Sequence, residues 1–115
     1  MVKVALLGCG RWGQNHLRVL SELREQNIVE SITVVDTSAE SRKNAVIAND
    51  VSETIDGVDA DFVIIATPSQ HHASQALELL SKNYHILVEK PLGCSESEAA
   101  QVIACARENG RILGV

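Results

Sequence analysis

Short apolar runs alternate with stretches of helical period from one end of the chain to the other. Val2 to Leu7 is the first run, and a helical pattern from about Trp12 to Glu25 follows. Trp12, Val19, Leu20 and Leu23 recur at helical spacing as the expected buried face, with Arg18, Glu22 and Glu25 outside. His16 falls on the same stripe and reads as a packing histidine. Ile28 to Val35 is the second strand and ends in Asp36. Thr37-Ser38-Ala39-Glu40 matches a capping box and starts a short helix to about Ala45. A brief third strand is expected at Val46 to Ala48, and Asp50-Val51-Ser52-Glu53 suits the cap of one more helical turn. Asp61 to Ala66 is the most continuous apolar run, the mark of a strand buried on both faces. A helix from about Gln70 to Lys82 would bury Ala73, Ala76, Leu77 and Leu80. Tyr84 to Val88 is the fifth strand. Ser95-Glu96-Ser97-Glu98 caps a last helix to about Asn109, burying Ala99, Val102, Ile103 and Ala106, and Arg111 to Val115 begins a sixth strand. Such strict alternation predicts an α/β fold with a parallel sheet.

The first strand runs directly into Gly8-Cys9-Gly10-Arg11-Trp12-Gly13 and then into the first helix. A Gly-x-Gly-x-x-Gly turn between strand and helix is a dinucleotide-binding fingerprint. Gly8 permits the tight turn, Gly10 lets a pyrophosphate approach the backbone, and Gly13 lets the helix lie close to the strand. The phosphates would sit against free amides at the helix N-terminus. Asp36 ends the second strand 23 residues after Gly13, near the ~20 expected of a carboxylate that binds the adenosine ribose. It would repel a 2′-phosphate, so the expected cofactor is NAD rather than NADP; Ser38 and Arg42 could contact a 2′-phosphate if their loop turned. The expected architecture is a Rossmann-type, doubly wound, mostly parallel sheet of about six strands with helices on both faces.

Composition narrows the classes. The 115 residues suit one domain. The net charge of −5, with no basic block, argues against nucleic acid and against anionic membranes as partners. No apolar run approaches the ~18 residues of a membrane span, and Val2 to Leu7 is too short for a secretory leader, so the protein reads as cytoplasmic. Cys9, Cys94 and Cys105 are odd in number and lack CxxC spacing, which indicates neither a disulfide framework nor a metal site. Cys9 reads as a small turn residue rather than a redox thiol.

Two further loops fall at carboxyl ends of strands, where ligands bind in open α/β sheets. One is Thr67-Pro68, followed by His71 and His72. The other is Glu89-Lys90-Pro91. Pro91 restricts Lys90 to extended conformations, and the Lys90–Pro91 bond is a candidate for cis. An ammonium held there could stabilise an alkoxide as hydride leaves a substrate. A lysine at a strand end also serves often as a plain surface charge, and spacing alone does not choose.

These residues resemble the glucose–fructose oxidoreductase / inositol dehydrogenase / rhizopine catabolism (Gfo/Idh/MocA) family. The likeness rests on Gly8 to His16, on Val35-Asp36, on Ala66-Thr67-Pro68 with His72, and on Glu89-Lys90-Pro91-Leu92. It covers the whole chain and the family's cofactor-binding half. It implies an NAD(P)-dependent dehydrogenase of a sugar, sugar nucleotide or cyclic polyol, with Lys90 catalytic beside the nicotinamide. Cofactor contacts are then implied at Gly8, Gly10, Arg11, Trp12, Gly13, Asp36, Thr37, Ala66, Thr67, Pro68, His72, Glu89 and Lys90, and no metal. The opening Gly-Arg-Trp-Gly-Gln-Asn-His is similar to members that oxidise UDP-linked amino sugars. The family's second, substrate-binding domain is absent from these 115 residues, so the chain is expected to be a domain piece or a truncated product. If it is neither, its exposed sheet surface implies self-association. A stand-alone, non-catalytic NAD-binding module is the competing expectation.

Overall fold

Side chains of the first strand, β1 (Val2–Leu7), alternate between two cores. Val4 and Leu6 join one apolar cluster, and Ala5 joins the other. β4 (Phe62–Ile65) divides the same way, with Ile64 on the first side and Val63 and Ile65 on the second. Alternation across a pleat covered on both faces explains why β4 reads as an unbroken apolar run and β1 as one broken only by Lys3 near its start. The computed structural model describes Met1–Val115. Helix α1 (Arg11–Glu25) closes the first core with Leu17 and Leu20. Helices α3 (His72–Ser81) and α4 (Glu96–Glu108) close the second with Ala73, Ala76, Leu79, Leu80, Val102 and Ala106. Each fully buried leucine stabilises the fold by about 1.5–3 kcal/mol.

The remaining elements are β2 (Val29–Val35), α2 (Ala39–Asn44), β3 (Asp50–Ser52), β5 (His85–Val88) and β6 (Leu113–Gly114). The six strands form one sheet in the order β3-β2-β1-β4-β5-β6, and every pair is parallel. The strand order reverses between β1 and β4, which opens a crevice at their carboxyl ends. The doubly wound architecture is thus present, and the sheet is wholly rather than mostly parallel. No helix is long and apolar enough to cross a membrane.

Several local expectations are corrected. The buried stripe of α1 is Gly13, Leu17 and Leu20, whereas Trp12 is 65% and Val19 44% exposed. Gly13 decides this. A Cβ there would collide with the carbonyl of Gly8, so the Gly13 side of the helix must face the turn, and positions four and seven residues on follow it inward. The cap of α2 is Ser38 rather than Thr37, its hydroxyl accepting from the Ser41 N–H at 3.2 Å. Asp36 Oδ1 accepts from the Ser38 N–H and holds the loop one residue longer than the capping-box spacing assumes. The third strand is Asp50–Ser52, not Val46 to Ala48, and the residues expected to cap a helical turn are that strand. Val46 is 82% exposed. Register with β2, Thr33 to Asp50 through Val35 to Ser52, makes this edge strand without any apolar pattern of its own.

The helix expected from Gln70 begins as a 3-10 turn over Ser69–His71 and becomes α3 at His72. Leu79 is buried there, and Leu77 only half so. Helix α4 is capped as expected, Ser95 Oγ accepting from the Glu98 N–H at 3.2 Å, but Ile103 points outward.

Candidate functional site

Four strands end in step, and the residue after each one stands beside its neighbours. Gly8 donates its N–H to Val35 O at 2.9 Å, Ala66 to Leu7 O at 2.8 Å, and Glu89 to Ile65 O at 2.9 Å. The backbone ladder therefore extends one residue past the strands. It aligns Asp36, Gly8, Ala66 and Glu89 in a row along the carboxyl edge of the sheet. A cleft of about 660 Å³ opens on this row. It is lined by the ends of β1 (Leu7, Gly8), β2 (Val35, Asp36, Thr37) and β4 (Ala66, Thr67, Pro68), and by Gly10, Arg11 and Trp12 at the start of α1.

The glycine turn is built by close approach. Gly8 has φ +93°, a conformation that L side chains avoid. A Cβ on it would also lie 2.8 Å from Ala66 O. Gly10 differs, because a Cβ there would meet nothing within 4 Å. It lines the cleft. Gly10 is also the N-cap of α1 and offers no capping side chain, and the first turn holds no acidic residue. The first amides of α1 are thus left for an anionic ligand.

Asp36 is already engaged. Its Oδ2 accepts from the Cys9 N–H at 2.8 Å and its Oδ1 from the Ser38 N–H at 2.9 Å. The carboxylate therefore ties the glycine turn to the loop after β2, and each oxygen keeps lone pairs that can face the cleft. Arg42 does not turn toward that space. Its guanidinium donates to the carbonyls of Asp36 and Thr37 at 2.8 and 3.0 Å.

Cys9 is buried, and its thiol is pushed above the usual value, first by burial and then by the nearby Asp36 carboxylate. A raised thiol holds less reactive thiolate near neutral pH. Iodoacetamide at pH 7.5 should therefore alkylate exposed Cys94 at least about tenfold faster than Cys9 in the folded chain. Peptide mass spectrometry over a time course would read this, and equal rates would contradict the packing role.

On the far side of the cleft, the Thr67 hydroxyl bonds the amide oxygen of Gln75 from α3. Ser41, Glu53, His71 and Gln75 line the cleft as well, and sequence reading did not assign them to it. They carry no motif; Ser41 comes from α2, Gln75 from α3, His71 from the 3-10 turn before it and Glu53 from the segment after β3, and only the fold brings them to one crevice. His72 lies elsewhere than expected. It is 2% exposed, with Nε2 2.6 Å from Thr67 O and Nδ1 2.7 Å from Pro91 O. Its ring braces two loops instead of facing the cleft. Gly13 likewise is a packing contact.

Glu89 and Lys90 stand outside the cleft lining, next in the row beyond Ala66. Glu89 Oε1 is 2.7 Å from Nε2 of His16. His16 is therefore half-buried and paired, a partnership that helical periodicity did not disclose. Lys90 is exposed, and the Lys90–Pro91 peptide is cis.

Residues 2–115 match the oxidoreductase family with an NAD-binding Rossmann fold, Gfo/Idh/MocA. The chain belongs to the Gfo/Idh/MocA family. Among the proteins the chain is similar to is 4-carboxy-2-hydroxymuconate-6-semialdehyde dehydrogenase of Sphingobium sp., 31% identical over 99% of this chain and 38% of its own length. Inositol 2-dehydrogenase of Arthrobacter sp. is 33% identical over 93% of this chain and 33% of its own. Two solved structures superpose closely. GenD2 from gentamicin A biosynthesis, in complex with NAD, has a TM-score of 0.87 at 32% identity, over 98% of this chain and 33% of that one. The WlbA dehydrogenase from Chromobacterium violaceum, in complex with NADH and UDP-GlcNAcA, has a TM-score of 0.86 at 25% identity, over 97% of this chain and 34% of that one. The chain thus spans about a third of the length of the Gfo/Idh/MocA relatives it matches.

Proposed function

We propose that the chain is the cofactor half of a dehydrogenase that binds NAD across the cleft and acts on a sugar, sugar-nucleotide or cyclic-polyol hydroxyl. The observation that carries this reading is the row at the sheet edge. It sets a carboxylate, Asp36, at one end of the cleft, next to uncapped helix amides and the open space over Gly10. Asp36 would accept from the adenosine ribose hydroxyls and disfavour a 2′-phosphate. Gly8, Gly10, Arg11 and Trp12 would cradle the pyrophosphate, Thr37 would flank the ribose, and Ala66, Thr67 and Pro68 would form the opposite wall. Bound NAD supplies the hydride acceptor for the carbon that carries the reacting hydroxyl. Glu89 and Lys90 would stand at the nicotinamide end, where the Lys90 ammonium would hydrogen-bond the substrate oxygen and stabilise the negative charge left on it when the hydroxyl proton is released to solvent. The substrate class is supported by the inositol dehydrogenase among the relatives and by UDP-GlcNAcA in the WlbA complex.

Fluorescence titration with NADH and NADPH tests the cofactor side. Saturable binding of NADH, at least about tenfold tighter than NADPH, is expected from a carboxylate facing the 2′ position. Failure of both to bind would overturn the reading, and equal affinities would overturn its preference for NAD.

A further inference from the structure

The Glu89-Lys90-Pro91 turn is gripped on both sides of its lysine. From α1, Nε2 of His16 reaches the Glu89 carboxylate at 2.7 Å. From the start of α3, Nδ1 of His72 reaches the Pro91 carbonyl at 2.7 Å, while its Nε2 holds Thr67 O at 2.6 Å. The Glu89 N–H is fixed to Ile65 O. The residues flanking Lys90 are thus tied to three different elements, α1, β4 and α3, and the lysine side chain is left exposed.

We propose that His16 and His72 are positioning residues, which hold this turn rigid so that the Lys90 ammonium is presented at one place beside the cleft. The proposal rests on the reading of Lys90 as the group that meets the substrate oxygen. Fold stability gives a poor account of the His16 contact. Its two side chains are 22% and 33% exposed, and pairs near solvent contribute little to stability. What the contact does fix is geometry, because it joins α1 to a loop 73 residues further along the chain. His72 fixes geometry differently. Its ring carries one N–H when neutral and two when protonated, so it serves one or both of the carbonyls of Thr67 and Pro91. Those carbonyls belong to the loops after β4 and β5, and one buried ring keeps them at a set distance. Placement of a group to within about 0.5 Å is the scale at which such support matters for chemistry.

Backbone NMR of the cofactor-free chain tests this directly. Amide exchange at Glu89 in His16→Ala is expected to rise at least tenfold and the heteronuclear NOE of Lys90 to fall, while exchange at Ile64 changes less than twofold. His16→Gln, whose amide can still donate to the Glu89 carboxylate, is expected to restore most of the protection. His72→Asn, which can satisfy one carbonyl but not both, should loosen Glu89 and Lys90 together with Thr67; if it fails to fold, the His16 pair of variants decides. Unchanged exchange at Glu89 in His16→Ala, or no rescue by glutamine, would overturn the proposal. So would equal loosening of Glu89 and Ile64, which would mean general destabilisation. NADH affinity of His16→Ala is expected to stay within threefold of the unsubstituted chain, because Gly10 and Asp36 are untouched. If the unsubstituted chain does not bind NADH, the cofactor reading fails while the exchange result still decides whether the turn is gripped.

Discussion

Alanine at Gly10 is expected to leave stability within about 0.5 kcal/mol of the unsubstituted chain and to weaken NADH binding at least about a hundredfold, or roughly 2.8 kcal/mol. Alanine at Gly13 is expected to destabilise the fold itself. The two positions stand three residues apart in one motif, but their surroundings are opposite. A Cβ at Gly10 meets nothing within 4 Å, and the backbone there has φ −79°, which any residue adopts. The added methyl occupies only the space that a pyrophosphate would need. At Gly13 the added methyl collides with the carbonyl of Gly8. Helix propensity works the other way, since alanine inside a helix gains about 0.8–1 kcal/mol over glycine. Overpacking costs about 1–3 kcal/mol and occasionally more; the Gly8 carbonyl is fixed backbone and the overlap is deep, which puts the cost at the upper end, so a net loss of about 2 kcal/mol is expected. Relief requires α1 to move off the sheet, which would also spoil the cleft. Urea unfolding and NADH titration of both variants separate the two roles. A stable Gly13→Ala that binds NADH normally would refute the close-packing account. A Gly10→Ala that binds NADH normally would remove the phosphate from this turn.

Much of this arrangement could be read from sequence because the strongest signals coincide with the strands buried on both faces. β1, β4 and β5 are apolar on both sides, so their runs stand out and their ends locate the loops that matter. The glycine turn, Thr67-Pro68 and Glu89-Lys90-Pro91 follow these strands, and Asp36 follows the buried Val34-Val35 end of β2. What stayed illegible depends on tertiary register. β3 is three polar or exposed residues that become a strand only by pairing with β2. The buried side of α1 was misplaced because Trp12 and Val19 are apolar, although Gly13 alone settles which side meets the turn. The family resemblance implies His72 as a member of the cofactor wall, but a buried ring between two carbonyls is a brace. His16 shows the converse. A histidine on a helix stripe reads as packing, and only the fold shows that its partner is Glu89, far along the chain.

Substitution of Asp36 by alanine is expected to lower both cofactor affinity and stability, and the double effect is what distinguishes it from a residue that only binds ligand. Its carboxylate accepts from the Cys9 and Ser38 amides at 2.8 and 2.9 Å. Removing the acceptor leaves the part-buried Cys9 N–H unpaired, at about 1–3 kcal/mol. Loss of charge-assisted bonds to the ribose, about 1.5–3 kcal/mol each, should weaken NADH about 10- to 100-fold. NADPH should change far less, because the same substitution also removes the charge that opposes a 2′-phosphate. The NADH preference is therefore expected to collapse. Asp36→Asn sharpens the test. An amide offers one acceptor oxygen, so its NH₂ must face either the Cys9 or the Ser38 N–H, donor against donor. The asparagine variant should accordingly be no more stable than the alanine variant, although it is nearly isosteric with aspartate. Paired urea unfolding and titration with both cofactors provide the measurement. An Asp36→Ala chain as stable as the unsubstituted one would show that the two amide bonds contribute nothing. An unchanged NADH-to-NADPH ratio would show that the carboxylate does not face the ribose.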